Sequence, residues 1–168
     1  MNILFENSHI RTRELAKEIY WYICFKRPFN VIFNVFFGLL FVAIIAISLI
    51  TEQYNYNSTI ILVPLFILFQ FYVYFKSVNN MMKRDYEISG DNPLREEMFA
   101  TDEFIRNTVS TGSVYEIPYS KIKKVVKTKN LILLLSKANL IYIFRKDSFA
   151  KGTPAEFLAF LREKGFRC

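Results

Sequence analysis

Two long stretches of the chain carry no charge. Between Arg27 and Glu52 lie 24 residues without a charged side chain, and between Glu52 and Lys76 another 23. The first stretch contains FNVIFNVFFGLLFVAIIAISLI (Phe29–Ile50) and the second IILVPLFILFQFYVYF (Ile60–Phe75). Each exceeds the ~20 residues that a helix needs to cross ~30 Å of hydrocarbon. Only a helix satisfies its own backbone there. The pattern predicts a transmembrane hairpin over residues 29–75, with spans at about 29–50 and 58–75 and the short turn TEQYNYNST between them. The alternative is a soluble core holding two buried helices. A cleaved signal peptide fits less well, because the apolar run is longer than a signal core and no small-residue cleavage site follows it.

The flanks agree with this. Tyr20, Trp21 and Tyr22 precede the first span, Tyr54 and Tyr56 lie in the turn, and Tyr72 and Tyr74 close the second span, as in an interfacial aromatic belt. Arg11, Arg13, Lys17, Lys26 and Arg27 come before the hairpin, Lys76, Lys83 and Arg84 follow it, and the turn holds only Glu52. The positive-inside rule then predicts cytoplasmic N- and C-termini in a multi-pass protein of the cell membrane. Residues 1–28 read as a cytoplasmic arm. Within it IRTRELAKEIYWYIC sets Ile10, Leu15, Ile19 and Tyr22 near one helical face, a pattern that suits a helix lying on the membrane surface. Asn57-Ser58-Thr59 matches a glycosylation sequon by chance so close to a membrane.

Inside the spans the polar residues are few. Asn34 and Gln70 are candidates for a polar contact between the helices or between two copies, or for span ends meeting water. The spans hold no Asp, Glu, Lys, Arg or His, which argues against an ion path. The Phe series at 25, 29, 33, 36 and 37 has helical spacing and reads as a lipid-facing or packing stripe.

From residue 76 the pattern turns to strands. DEFIRNTVS (102–110) ends at Thr111-Gly112, a turn signal, and SVYEIPYSKI resumes from Ser113 as a hairpin partner. KIKKVVKTK (121–129), LILLLS (131–136) and NLIYIF (139–144) follow. LILLLS is apolar on both faces and so predicts a central strand. Thr153-Pro154-Ala155-Glu156 is a capping box with proline at the first helical position. Phe157, Leu158 and Leu161 then form one apolar stripe, and Gly165 stops the helix. Residues 76–168 are thus predicted to form one α+β domain, a small β-sandwich or barrel capped by a C-terminal helix.

Composition adds exclusions. Of 168 residues, 52% are hydrophobic, and the net charge is +7. Disorder and a disulfide scaffold are ruled out. Cys24 and Cys168 stand at opposite ends and suggest neither a metal cluster nor a redox pair. His9, the single histidine, is far in sequence from any acidic cluster. No metal-ligand spacing, phosphate loop or nucleophile elbow occurs. Glu96 and Glu97 would point to opposite faces of a strand and read as solvated surface. No catalytic residue, cofactor or metal is therefore assigned, and an enzyme is not expected. Without an aromatic-rich basic face, neither is nucleic acid.

Lys121, Lys123, Lys127 and Lys129 share parity and are read as one face of a strand, with Ile122 and Val126 opposite. Two readings stand. Lysines protect an edge strand from unwanted pairing, or they meet anionic lipid headgroups at ~1 kcal/mol each.

The segments Ile117-Pro118-Tyr119-Ser120-Lys121-Ile122-Lys123-Lys124-Val125, Arg145-Lys146-Asp147-Ser148-Phe149 and Glu156–Leu161, downstream of two spans, resemble the bacterial YcxB-like membrane protein family. The resemblance implies two transmembrane helices and a pleckstrin-homology-like domain of about seven strands in two sheets, capped by the helix Thr153–Lys164. It implies no activity. The residues themselves yield five or six strands, so the remainder is sought in 85–100. Phosphoinositide-binding domains of that fold carry basic residues at the first strand pair. The counterpart taken here, Arg84–Arg95, holds Asp85, Glu87 and Asp91, so that specificity is not expected. The sequence thus predicts a non-catalytic inner-membrane protein. Its cytoplasmic domain would bind a protein or peptide partner or the anionic membrane surface. The alternative is an oligomeric small transporter or channel subunit, which would associate as a homo-oligomer.

Overall fold

The computed structural model describes residues 2–51, 56–90 and 92–167. Glu52, Tyr54, Asp91 and Cys168 lie outside them. The chain divides into two compact units: residues 13–83, and residues 1–12 together with 84–168.

The first unit is helical. Helix α1 (Arg13–Trp21) buries Leu15, Ala16 and Ile19. Its Arg13 donates to Asn79 Oδ1 at 3.0 Å. A π-helical turn, Tyr22–Lys26, leads to Arg27 in extended conformation. Pro28 then opens α2 (Pro28–Thr51), because the residue before proline avoids helical backbone and proline suits a first turn. Helix α3 (Tyr56–Ser89) is 34 residues long, about 50 Å. It therefore continues past Phe75, where the sequence ended the second span, through the charged residues 76–89. Ser89 Oγ bonds the Asp85 carbonyl at 2.6 Å, and Gly90 at φ +66° ends the helix. Both helices are long and apolar enough to cross a membrane, with mean hydropathy 2.5 over Pro28–Ile47 and 1.8 over Ile61–Ser89. The apolar side of α1, expected to lie on the membrane surface, is buried within the protein at Leu15, Ala16 and Ile19.

The second unit is a pair of antiparallel sheets. Strand β1 (Phe5–Ile10) precedes all the helices, and β2 (Arg95–Ala100), β3 (Phe104–Val109) and β4 (Val114–Pro118) follow them. With β8 (Phe149–Lys151) they form a five-stranded sheet in the order β4-β3-β2-β1-β8. The other sheet is β5 (Ile122–Lys127), β6 (Leu131–Ser136) and β7 (Ile141–Arg145). Residues 5–10, expected in a cytoplasmic arm, are thus an interior strand. The helical unit is an insertion between two strands that pair from Phe5↔Ala100 to Ile10↔Arg95. Of the strands sought in 85–100, one is there. The other is β1, and Asp85 and Glu87 are helical.

The core lies between the sheets. Phe5, Met98, Ile105, Ile132, Leu134 and Phe144 meet there under α4 (Pro154–Glu163), whose Phe157 and Leu161 are fully buried. The capping box is complete: Glu156 N–H donates to Thr153 Oγ1 at 3.2 Å, and Thr153 N–H to Glu156 Oε2 at 2.9 Å. Strand β6 is the middle of its sheet and buried on both faces.

One polar side chain ties the sheets together. Asn7 is fully buried in β1. Its Nδ2 donates to the Arg145 carbonyl at 2.7 Å, and its Oδ1 accepts from the Arg145 N–H at 3.1 Å. The amide thereby replaces a ladder partner for β7. Asn7→Leu keeps the size but strands both backbone groups, each costing ~1–3 kcal/mol when buried. Loss of about 3 kcal/mol is expected, read as an earlier thermal transition of the solubilised chain.

Candidate functional site

Three places carry the polar chemistry of the chain. The first is the edge formed by β5. Strand β5 pairs only with β6, so its outer side is open. Lys121 closes a 3₁₀ turn before the strand, Lys123 and Lys127 lie in it, and Lys129 follows it. The expected single row is broken by a bulge. The register shifts between Ile122↔Ser136 and Lys124↔Leu135. An extra residue on one strand resets alternation, so Lys123 and Lys124 are both exposed while Val125, not Val126, joins the core cluster. Among the described residues none of Lys121, Lys123, Lys124, Lys127 and Lys129 takes part in an ion pair. The result is a cluster of solvated ammonium groups along an open edge, broader than a one-face stripe.

The second place is inside the helical unit. Gln70 Nε2 donates to Asn34 Oδ1, joining α3 to α2. Phe37 stacks on Phe66 at 5.3 Å beside it. A cavity of about 290 Å³ opens here, lined by Cys24, Asn30, Asn34, Phe66 and Gln70 among others. The Phe series divides: Phe29 and Phe36 are exposed, whereas Phe25 packs on Trp21, Phe71 and Tyr74.

The third place has no counterpart in the sequence reading. Arg11, just beyond β1, donates from Nη1 to Asp85 Oδ1 at 2.9 Å and from Nη2 to Glu96 Oε1 at 2.7 Å. Asn107 Nδ2 donates to the same Glu96 oxygen at 3.3 Å. His9 is the direct cross-strand partner of Glu96. Its Nε2 stands 3.4 Å from Glu96 Oε2, an ion-pair distance without hydrogen-bond alignment. Glu96 is 1% exposed and His9 4%. Burial pushes the Glu96 carboxyl up, but His9 and the Arg11 guanidinium outweigh it and hold the group at about 2. Burial likewise works against the Arg11 charge, and Glu96 and Asp85 reverse that and raise its pKa. His9 is therefore not remote from acidic groups, and Glu96 is not solvated surface. Glu97 alone points outward.

The signal for this cluster was hidden in FENSHI. Phe5, Asn7 and His9 are the inward positions of β1, and two of the three are polar. Hydrophobic alternation cannot mark a strand whose buried positions are polar. His9 and Glu96 also lie 87 positions apart in the sequence.

Together these features define a two-sheet β-domain with a C-terminal helix, interrupted after its first strand by a pair of helices long enough to cross a membrane. Residues 100–161, from the end of β2 into α4, match the family model described as YcxB-like protein, which bears out the family resemblance seen in the sequence. The match reaches neither β1 nor the hairpin. No curated protein and no solved structure matches the chain.

Proposed function

We propose that the protein is a non-catalytic, membrane-anchored domain whose lysine-bearing β5 edge rests on the anionic surface of the inner leaflet. The anchor is α2 with the first part of α3. No residue of the most apolar window of α2 is buried, whereas a helix in a soluble core would be mostly buried. A signal peptide fits poorly for a structural reason: cleavage after α2 would remove β1 from the middle of its sheet. Pairing of β1 with β2 also requires the intervening chain to start and finish on one side of a membrane, which two spans satisfy. With the basic flanks, that side is the cytoplasm. The pleckstrin-homology resemblance implies about seven strands in two sheets under a terminal helix, and eight strands in sheets of five and three with α4 after them support that reading.

The observation that carries the surface reading is the set of five exposed lysines on one open edge that, among the described residues, take part in no ion pair. A tethered domain needs little attraction to be oriented, and lysines at ~1 kcal/mol each supply it. The test is a lipid-depth probe at Ser120→Cys, which is exposed beside Lys121, in a full chain carrying Cys24→Ala and Cys168→Ala. In phosphatidylglycerol-rich vesicles, quenching by headgroup-borne quenchers is expected to exceed that in neutral vesicles and to fall with salt. Replacing Lys121, Lys123, Lys124, Lys127 and Lys129 by Gln should return it to the neutral level. Equal quenching in both lipids would leave the lysines as protection of the edge.

The transporter or channel alternative rested on Asn34 and Gln70. Their hydrogen bond pairs them within one chain, so it adds no support for an assembly built around them.

A further inference from the structure

The cavity in the helical unit is more than an anchor needs. It measures about 290 Å³ and has two kinds of lining: Phe33, Phe66, Phe69 and Val73 are apolar, whereas Asn34 and Gln70 are carboxamides. Its depth in a bilayer follows from the chain. Asn34 comes seven residues after Arg27, and Gln70 six before Lys76. At 1.5 Å per residue both amides stand about 9–10 Å inward of the basic residues. The interfacial layer of one leaflet is ~5–8 Å deep. The amide pair therefore lies where the ester carbonyls of a phospholipid give way to its chains.

The two amides are only partly used by each other. Their hydrogen bond engages one N–H of Gln70 and one lone pair of Asn34. The carboxamide inventory leaves both N–H groups of Asn34 and the carbonyl of Gln70. Hydrocarbon offers such groups no partner, whereas an ester carbonyl accepts from an amide N–H. Asn30, one turn before Asn34, is differently placed: its Nδ2 donates to the Ile23 carbonyl at 2.7 Å. Charge at this end of the hairpin has one sign. Lys76 follows Val73 by three residues, which puts the two on one side of α3, and Lys26 closes the π-helical turn. Both lysines are exposed. No acidic residue occurs between Glu18 and Glu52, or between Glu52 and Asp85.

We infer that this cavity binds one anionic glycerophospholipid, with an acyl chain along Phe33, Phe66, Phe69 and Val73, an ester carbonyl on Asn34 and the phosphate toward Lys76 and Lys26. The inference rests on the reading of α2 and α3 as the anchor and does not involve the β5 edge. The test uses the full chain with all five β5 lysines replaced by Gln, so that the edge cannot supply the signal. It is mixed in detergent with equal amounts of phosphatidylglycerol and phosphatidylcholine of identical chains and read by native mass spectrometry. One retained phosphatidylglycerol per chain is expected, at least fivefold over phosphatidylcholine. Val73→Trp fills the cavity without touching the amide pair and should cut the retained lipid at least fivefold. Asn34→Leu should do the same, and Val73→Trp decides the matter if Asn34→Leu does not fold. Lys26→Gln with Lys76→Gln should leave one lipid bound but erase the headgroup preference. Carbonate extraction of vesicles that hold the chain separates the two levels. Release from the bilayer overturns the anchor and this inference with it. In a chain that stays in the bilayer, the inference alone is overturned by no retained lipid, by several lipids without preference, by a lipid indifferent to Val73→Trp or to a folded Asn34→Leu, or by a preference that survives loss of both lysines.

Discussion

Replacing residues 2–12 with a flexible Gly/Ser segment of equal length is expected to abolish the β-domain, although the helical unit, residues 13–83, separates them in sequence from the rest of it. Strand β1 is interior, pairing with β2 over six residues and with β8 at Glu6↔Lys151 and Asn7↔Phe149. It contributes the buried Phe5, Asn7 and His9. Losing Phe5 removes ~2–3 kcal/mol of burial. Losing Asn7 strands the Arg145 backbone, and without β1 the Glu96 carboxylate keeps neither His9 nor Arg11. Together these losses match or exceed the ~5–15 kcal/mol by which a domain is stable. The readout is protease resistance of residues 92–167, which should vanish. Substituting Thr at the outward positions Glu6 and Ser8 should leave resistance intact. The same reasoning condemns a fragment cut at residue 76, where the charge pattern places the domain boundary. A fragment 76–168 that resisted protease like the full chain would contradict the fold.

The second large effect concerns the buried ion cluster. Arg11→Met removes the partner of two carboxylates, Asp85 and Glu96, in a site where Glu96 is 1% exposed. Breaking a buried pair from one side costs ~3–5 kcal/mol, because the remaining charge stays buried and uncompensated. The native cluster also makes stability depend on acid. The Glu96 carboxyl is held at about 2 in the folded chain, against 4.5 ordinarily. A depressed carboxyl stabilises above its unfolded pKa, and that contribution is lost as pH falls through the folded one. The window therefore runs from about pH 4.5 down to about 2 and is worth about 3 kcal/mol. The groups facing Glu96 are His9 and Arg11 from the β1 side, Asp85 from α3 and Asn107 from β3. In Glu96→Gln the acid-dependent loss should shrink by that amount. An unchanged acid limb in the variant would show that the cluster does not govern it.

Legibility along the chain followed how each residue is held. The hairpin was readable because lipid-length helices need unbroken apolar composition. The terminal helix was readable because Thr153, Pro154 and Glu156 act within four residues. Strand β6 declared itself by being apolar on both faces. The Thr111-Gly112 turn was readable from glycine, which sits at φ +88°. What stayed hidden depended on distant partners. Strand β1 is recognisable only when Glu96, Asn107 and Arg145 are known to satisfy its polar inward side chains. The lysine row failed at a bulge, because period-two parity assumes that no residue is inserted. The three-residue β8 is too short to carry a pattern. Helix α3 outran its apolar stretch because helices stop at caps, here Ser89 and Gly90, and not at the first charge.

The central claim is that one β-domain is assembled across the inserted hairpin, and a cross-strand disulfide tests it most directly. Ser8 and Glu97 are register partners on the outward side of β1 and β2, at a spacing a disulfide can span. In a full chain with Cys24→Ala and Cys168→Ala, the pair Ser8→Cys and Glu97→Cys is oxidised in the membrane. The chain is then cut within residues 52–55 by an engineered protease site. The two halves should remain joined until reduced, while Ser8→Cys with Glu103→Cys should let them separate. Separation of the Ser8/Glu97 halves under oxidising conditions would contradict the split domain and, with it, the placement of both polar sites.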